Sequence, residues 1–454
     1  MSDERGPRLL VVGSGPAGNT AATIAAADGA AVTLVESDIL GGAAHLWDCI
    51  PSKSLVASSM RLANVRASGH LGLVDTGEPK ADMVRLNERR NAITARLVAG
   101  LTGVLESQGV EILRGRGRFT SPHTAVVATP TGDREISFDK ALIATGSVPR
   151  VPGWAELDGT RVLTSRDAYR MPTLPEHLVI VGSGVTGVEF GHIFSSLGSA
   201  VTLLVSRQQV LPHRDPEVAA VLEEDFLERG VTLLKGSRAA SARREGDGAV
   251  VATEDGRMVR GSHILLAVGL LPNLDGLGLD AAGVEERDGF VAVDEYQRTS
   301  VPHIYAGGDV TGQLPLSSVA AAQGRVIARH ALDRPAVPVD LRLAVRAIFT
   351  EPEIASVGLE EVAAVSEGRK VRITKASFAT NPRSLIQANP RGFVKVVSDP
   401  VTRVVLGGTI VGHHASELIG ILALAVQGGL RTDLLVETLM AHPSLAETIG
   451  DAVD

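Results

Sequence analysis

Two glycine runs offer the clearest ligand chemistry in this chain. Gly13-Ser14-Gly15-Pro16-Ala17-Gly18 and Gly182-Ser183-Gly184-Val185-Thr186-Gly187 share one glycine spacing. In such a run the first glycine allows a tight turn, the second lets the backbone approach a pyrophosphate, and the third lets helix meet strand. The amides that open the following helix then attract the anion. Positioning the turn takes a strand before it and a helix after it. Leu9–Val12 reads as a buried strand, Ala21–Ala27 as helix and Ala31–Val35 as the next strand. Leu178–Val181, a helix through Leu197 and Val201–Val205 repeat that order. The sequence therefore predicts two dinucleotide-binding units. Gly13, Gly15, Pro16, Ala17 and Gly18 would bind the nucleotide in one, and Gly182, Gly184 and Gly187 in the other.

The two nucleotides are expected to differ. Glu36 ends the second strand of the first unit, where a carboxylate accepts hydrogen bonds from ribose hydroxyls. The equivalent position in the second unit is Val205, followed by Ser206 and Arg207. A missing carboxylate with a guanidinium beside it tolerates and pairs a 2′-phosphate, which predicts NADPH over NADH. Arg214 is a second candidate for that phosphate, and a solvent-facing loop arginine is the plain alternative for Arg207.

Further motifs carry a family resemblance. Gly41-Gly42-Ala43-Ala44-His45-Leu46-Trp47-Asp48-Cys49-Ile50-Pro51-Ser52-Lys53 resembles the redox-active segment of the flavoprotein disulfide reductases, the class I pyridine nucleotide-disulfide oxidoreductases. That group includes lipoamide dehydrogenase, glutathione reductase and mercuric reductase. Ala144-Thr145-Gly146 and Ala267-Val268-Gly269, the latter followed by Pro272-Asn273, resemble the strand-end turns where the family's chain crosses between domains. Tyr305-Ala306-Gly307-Gly308-Asp309 resembles its second FAD fingerprint, and Thr350-Glu351-Pro352-Glu353 to Gly358 the start of its dimerisation domain. His442-Pro443 with Glu447 matches its catalytic pair. The resemblance implies FAD on the first unit, with Gly42, Ala144, Thr145, Gly146, Gly308 and Asp309 among its contacts. It implies NADPH or NADH on the second, with Gly269 and Glu189 at that site. It also implies that Lys53 pairs with Glu189 beside the flavin, and that the chain forms a homodimer completing the His442 site.

One departure bears on the reaction. The family pattern has two cysteines flanking four residues, and here the first of those positions is Ala44 and the second Cys49, the only cysteine of the chain. Without a partner thiol there is no internal disulfide to exchange with a disulfide substrate. Hydride from NAD(P)H to flavin survives, and the electrons must then pass directly to another acceptor, of which a quinone is the leading case. An actinobacterial subgroup of lipoamide-dehydrogenase-like NAD(P)H quinone reductases shows the same pattern. Cys49 is either a flavin-facing thiol or apolar packing. Lys53 lies four residues on, sharing a face with Cys49 if the segment is helical. Val185 stands where many relatives carry a tyrosine over the flavin, predicting a more open face, while Trp47 reads as packing or as an apolar wall. His442, oriented by Glu447, would protonate a reduced quinone or persist as an interface residue. His45, His413 and His414 read as structural, and no metal site is predicted.

Composition narrows the remaining classes. At 454 residues the chain is long enough for two or three domains, and 44% hydrophobic residues predict a folded protein. A net charge of −8 and 3% aromatic residues disfavour nucleic-acid binding. Met1–Arg8 shows no signal-type apolar core, and the longest apolar stretch, Ile419–Val426, is too short to span a membrane. A cytoplasmic protein is expected. The predicted fold is α/β, with two Rossmann-like dinucleotide-binding domains and a C-terminal α+β dimerisation domain. Residues 1–149 and 271–338 would form the FAD domain, 150–270 the NAD(P) domain and 339–454 the dimerisation domain. Helices are expected at Ser52–Arg66 and Lys80–Gln108. The expected activity is an FAD-dependent NAD(P)H:quinone oxidoreductase. The alternatives are a soluble pyridine nucleotide transhydrogenase, a disulfide reductase using an external thiol, and a low-turnover flavin-binding redox module.

Overall fold

The computed structural model describes residues 6–74 and 77–454. Part of the charged N-terminal stretch therefore lies outside the described residues. The chain divides into two compact units. The first holds Met1–Ser52, Glu88–Pro149 and Leu270–Leu341, and the second Lys53–Asn87, Arg150–Gly269 and Arg342–Asp454. Residues 53–87, assigned by sequence to the first dinucleotide-binding domain, group with the second unit. The C-terminal segment shares that unit with the second glycine turn.

A five-stranded parallel sheet forms the centre of the first unit, in the order Ile304–Ala306, Lys140–Ile143, Arg8–Val12, Ala31–Glu36, Glu111–Arg114. Its strands are near-continuous apolar runs because both faces are covered, one by helices and the other by a second sheet. Val11, Leu34 and Leu142 are fully buried on one side with Ala21 and Ala25 of the helix Pro16–Ala27. That helix crosses Ser317–Ala331 closely enough that a Cβ on Gly324 would sit 2.4 Å from Ala17 O. A three-stranded antiparallel sheet, Arg116–Ser121, Thr124–Thr129 and Gly132–Ser137, closes the other face around Phe119 and Phe138.

The second unit repeats four strands of that sheet in the same order, His263–Leu266, His177–Val181, Ala200–Val205, Thr232–Lys235, while its edge strand Val162–Thr164, beside His263–Leu266, precedes them in the chain where Ile304–Ala306 follows. Its apolar residues pack with Phe190, Phe194 and Phe226, and with Leu55 and Val56 of the helix Ile50–Arg66. Beyond residue 342 the order changes to a five-stranded antiparallel sheet, Arg346–Ile348, Glu353–Gly358, Val405–Gly412, Phe393–Ser398, Arg372–Ser377. The helix Ala415–Gly428 seats Leu422 against Gly408 of that sheet.

Elements read from the sequence shift by a few residues. The helix expected from Ser52 starts at Ile50, and the one expected over Lys80–Gln108 spans Met83–Ser107, with Asp82 accepting the amides of Val84 and Arg85 at its start. Cys49 stands in a bend immediately before its helix, so it does not share a helical face with Lys53. Among the described residues no helix is long and apolar enough to cross a membrane.

Candidate active site

The first glycine turn combines a packed floor with an open face. Gly13 has φ +102°, and a Cβ there would meet Ala144 O at 2.3 Å; one on Gly18 would meet Gly13 O at 1.9 Å. A Cβ on Gly15 would meet nothing within 4 Å. The middle glycine thus leaves open the space that a pyrophosphate needs, while its neighbours are required by packing. Gly15 ends on the helix Pro16–Ala27 with no side-chain cap, so the first helical amides remain available to an anion. Ala17 is buried against the sheet. Gly42, at φ +57°, lies against Gly15 and extends the same open turn.

Glu36 is buried and already engaged. Its Oε2 accepts from Ser14 N at 2.9 Å and Ser14 Oγ at 2.6 Å, and its Oε1 from Asp38 N at 2.8 Å. An ionised carboxylate offers about four acceptor positions, so one remains for a ribose hydroxyl, on Oε1. Ser14, absent from the sequence-based site, ties that carboxylate to the glycine turn. Its place between two fingerprint glycines was the available signal.

Two further segments flank this turn, one after the strand Lys140–Ile143 and one at Gly307–Asp309. Ala144 and Thr145 follow the strand Lys140–Ile143, and Thr145 Oγ1 is buried with no partner among the described residues. An orphaned hydroxyl beside the open turn fits a ligand that supplies the missing bond. Gly146, at φ +69°, accepts the Asn273 amide at 2.9 Å. Asp309 opens a short 3-10 turn, and its Oδ2 accepts from Ser147 Oγ at 2.6 Å. Gly308 is fixed by the hydrogen bond its backbone N donates to Oε1 of Gln323 at 2.8 Å, a buried glutamine that no sequence motif disclosed. Cys49 Sγ lies 3.1 Å from Ser317 Oγ, the first residue of the helix Ser317–Ala331. Ala44 lies within the short helix Gly42–Leu46 and Trp47 just past it, both partly buried. The open Gly15 turn, its uncapped helix start and the orphaned Thr145 hydroxyl fit a pyrophosphate-bearing dinucleotide.

The second turn repeats the geometry. Cβ atoms on Gly182 and Gly187 would meet Ala267 O at 2.3 Å and Gly182 O at 1.9 Å, whereas one on Gly184 would meet nothing within 4 Å. Gly269, at φ +104°, accepts Arg150 N at 3.0 Å. Val205 is fully buried at its strand end, and Ser206 and Arg207 follow as exposed residues. Arg214 differs from its sequence reading. Its Nη1 donates to Ser356 Oγ at 2.7 Å and pairs with Glu360, so it is committed to the protein rather than to a phosphate.

Lys53 Nζ lies 2.7 Å from Glu189 Oε2 and 4.5 Å from the ring centre of Phe349. Phe349 N in turn donates to Glu189 Oε1 at 3.0 Å. Phe349 was not anticipated. It precedes the Thr350-Glu351-Pro352 motif and holds the carboxylate while its ring faces the ammonium. Val185 opens the helix Val185–Leu197 and is exposed.

His442 Nδ1 is 2.8 Å from Glu447 Oε1, and Glu447 Oε2 accepts Ser444 N at 2.7 Å. The Ser444 amide, and after it His442, hold the Glu447 carboxyl below the usual carboxylate range. His442 is 71% exposed, which leaves Nε2 on the open side of the pair. His413 meets Glu351 at 3.3 Å, and His45 Nδ1 lies 3.1 Å from Leu40 O. The described carboxylates clustered closely enough for a metal, Asp215, Glu217 and Glu361, all bond the buried Lys395 ammonium instead.

Residues 7–324 match the family model for pyridine nucleotide-disulphide oxidoreductases, and residues 344–453 its dimerisation domain. A Mycobacterium tuberculosis protein named NAD(P)H dehydrogenase (quinone) is 41% identical, over 98% of this chain and 93% of its own. The dihydrolipoyl dehydrogenase of Chlorobaculum tepidum is 35% identical, over 98% and 96%. Among solved structures, LpdA from M. tuberculosis superposes with a TM-score of 0.93 at 40% identity, covering 98% of this chain and 99% of that one. The HOCl-induced flavoprotein disulfide reductase RclA from Escherichia coli gives 0.89 at 26% identity, covering 98% and 99%.

Proposed function

Because the chain belongs to the pyridine nucleotide-disulphide oxidoreductase family, whose members are FAD-dependent and use NAD(P)H, we propose that it is an oxidoreductase passing electrons from NADPH to a quinone-type acceptor without a redox-active disulfide. The observation that carries this reading is Ala44 in place of the first redox cysteine, which leaves Cys49 the sole cysteine of the sequence. The name of the 41%-identical M. tuberculosis relative supports the acceptor class.

FAD, bound at the first turn, supplies a hydride acceptor that can also release electrons to a second substrate. The open turn at Gly15 and the helix start at Pro16 would hold its pyrophosphate, with Glu36 on its ribose, Thr145 and Gly146 along its edge, and Asp309 near its ribityl or phosphate portion. Gly182, Gly184 and Gly187 would hold the pyrophosphate of NADPH, and Arg207, supported by Ser206, its 2′-phosphate. Lys53, oriented by Glu189 and Phe349, would place a positive charge where negative charge gathers on hydride arrival. Val185, in place of a bulkier cover, would leave room for a planar acceptor. Reduction of a quinone takes two electrons and two protons, and His442 held by Glu447 would donate one from Nε2, in a homodimer formed through residues 344–453.

Anaerobic steady-state NADPH oxidation by FAD-loaded protein, with menadione, lipoamide and glutathione disulfide compared side by side, tests the proposal. Turnover is expected with menadione and with neither disulfide. Turnover with a disulfide would overturn the role assigned to Ala44.

A further inference from the structure

We propose that the segment Ser206–Asp215 is a preorganised specificity loop for the adenosine end of NADPH, and that Arg214 is its positioning residue. This rests on the reading of Arg207 as the partner of a 2′-phosphate. A surface loop between a strand and a helix is ordinarily mobile. This one, between Ala200–Val205 and the helix Pro216–Glu228, is fastened at successive residues. Arg207 O accepts Gly236 N at 2.9 Å. Val210 N donates to Glu223 Oε1 at 2.9 Å, while Lys235 Nζ holds Glu223 Oε2 at 2.5 Å. Leu211 N donates to Ser183 O at 2.9 Å, joining the loop to the second glycine turn itself.

Leu211 is the telling residue. It has φ +49°, in the left-handed region that a Cβ-bearing residue enters only at a steric cost, and it is 3% exposed. Such a conformation persists where the surroundings over-determine it, and it concentrates at ligand clamps. The over-determination comes from Arg214. Its N donates to Leu211 O at 2.9 Å, its O accepts from Gln209 Nε2 at 3.1 Å, and its guanidinium is bound to Ser356 and Glu360. Asp215 then anchors the loop end, accepting from Lys395 Nζ at 2.6 Å and Val362 N at 3.0 Å. Ser206 and Arg207 are thus displayed from a fixed backbone, and recognition of a 2′-phosphate needs little further ordering.

The test is calorimetric binding of adenosine 2′,5′-bisphosphate and of 5′-AMP to the FAD-loaded protein, with KM and kcat for NADPH and NADH measured alongside. Wild-type protein should prefer the bisphosphate, and Arg207→Ala should erase that preference. Arg214→Gln should weaken bisphosphate binding and raise the NADPH KM by about tenfold, the scale of one charge-assisted contact. The AMP affinity and kcat should move less than that KM, and Arg214→Lys should restore part of the loss. Glu360→Gln probes the same pair from its other side and should reproduce the split if Arg214→Gln is poorly folded. If Arg207→Ala loses the preference while Arg214→Gln and Glu360→Gln keep it, or if these two weaken both ligands equally, the positioning role is wrong and the reading of Arg207 stands. If wild-type protein does not distinguish the ligands, the NADPH reading itself fails and the loop has no such role.

Discussion

His442 illustrates how a single side chain is prepared for proton transfer. Glu447 is held ionised by the Ser444 amide and by His442 itself, so it keeps a proton on Nδ1 and turns Nε2 outward. As the proposed donor to a reduced quinone, His442 makes a testable contribution. His442→Ala should lower menadione turnover by about tenfold across pH 6–8, at the lower end of general-acid effects, because water can also supply the proton. Unchanged turnover over that range would leave the pair without a role in proton delivery. At this scale the sequence pointed to His442, Glu447 and Cys49 through their resemblance to the family's His-Pro…Glu pair and redox-active segment. Ser14 was signalled by its place between two fingerprint glycines, whereas Gln323 and Phe349 were not, because their importance arises from partners far along the chain.

The two glycine turns are the elements on which the account rests, and the glycines within each are not equivalent. Gly187→Ala would force a Cβ to within 1.9 Å of backbone, so it should destabilise by about 1–3 kcal/mol or more, as overpacking does. Gly184→Ala meets nothing, and its φ of −74° suits alanine. Its thermal stability should therefore change by less than about 1 kcal/mol. Its KM for NADPH should rise by about tenfold, because the methyl group enters the space reserved for the pyrophosphate. Thermal melts and steady-state kinetics on both variants separate the two effects. Equal behaviour would contradict the division into floor and face. Both turns were legible from strand, glycine and helix order. The helix start at Ile50 was not, because Pro51 was read outside the helix although proline is well tolerated in a first turn.

Across the whole molecule, duplication of one parallel-sheet unit was visible in the repeat, and four of the five strands in each sheet follow the same order. The grouping of residues 53–87 with the second unit was not visible. It follows from Leu55, Val56 and Met83 burying side chains against Phe190, Phe194 and their neighbours, a contact between segments distant in sequence. Burial also shapes the response to pH. His192, inside the helix Val185–Leu197, is fully buried 3.4 Å from the Arg229 guanidinium, and burial first, then that charge, pushes its pKa down to about 3. The unfolded chain therefore takes up a proton below about pH 6.5 that the folded chain refuses. Stability should fall between pH 6.5 and 4.5 by up to about 1.4 kcal/mol per unit from this residue alone. His413 acts in the opposite sense. The Glu351 hydrogen bond raises its pKa, so its contribution is present below about pH 6.5 and is lost at higher pH. Urea unfolding of His192→Gln beside wild type over pH 4.5–6.5 should show a shallower loss in the variant, and parallel curves would contradict the assignment.

In the proposed reaction electrons reach the acceptor without passing through a thiol pair. The most direct test mixes NADPH-reduced, FAD-loaded protein with menadione or with lipoamide in an anaerobic stopped-flow instrument, comparing wild type with Cys49→Ser. Oxidised-flavin absorbance should return on mixing with menadione, at rates agreeing within about twofold between the two proteins, and should not return with lipoamide. Reoxidation by lipoamide, or loss of menadione reoxidation in Cys49→Ser, would show that sulfur chemistry carries the electrons after all.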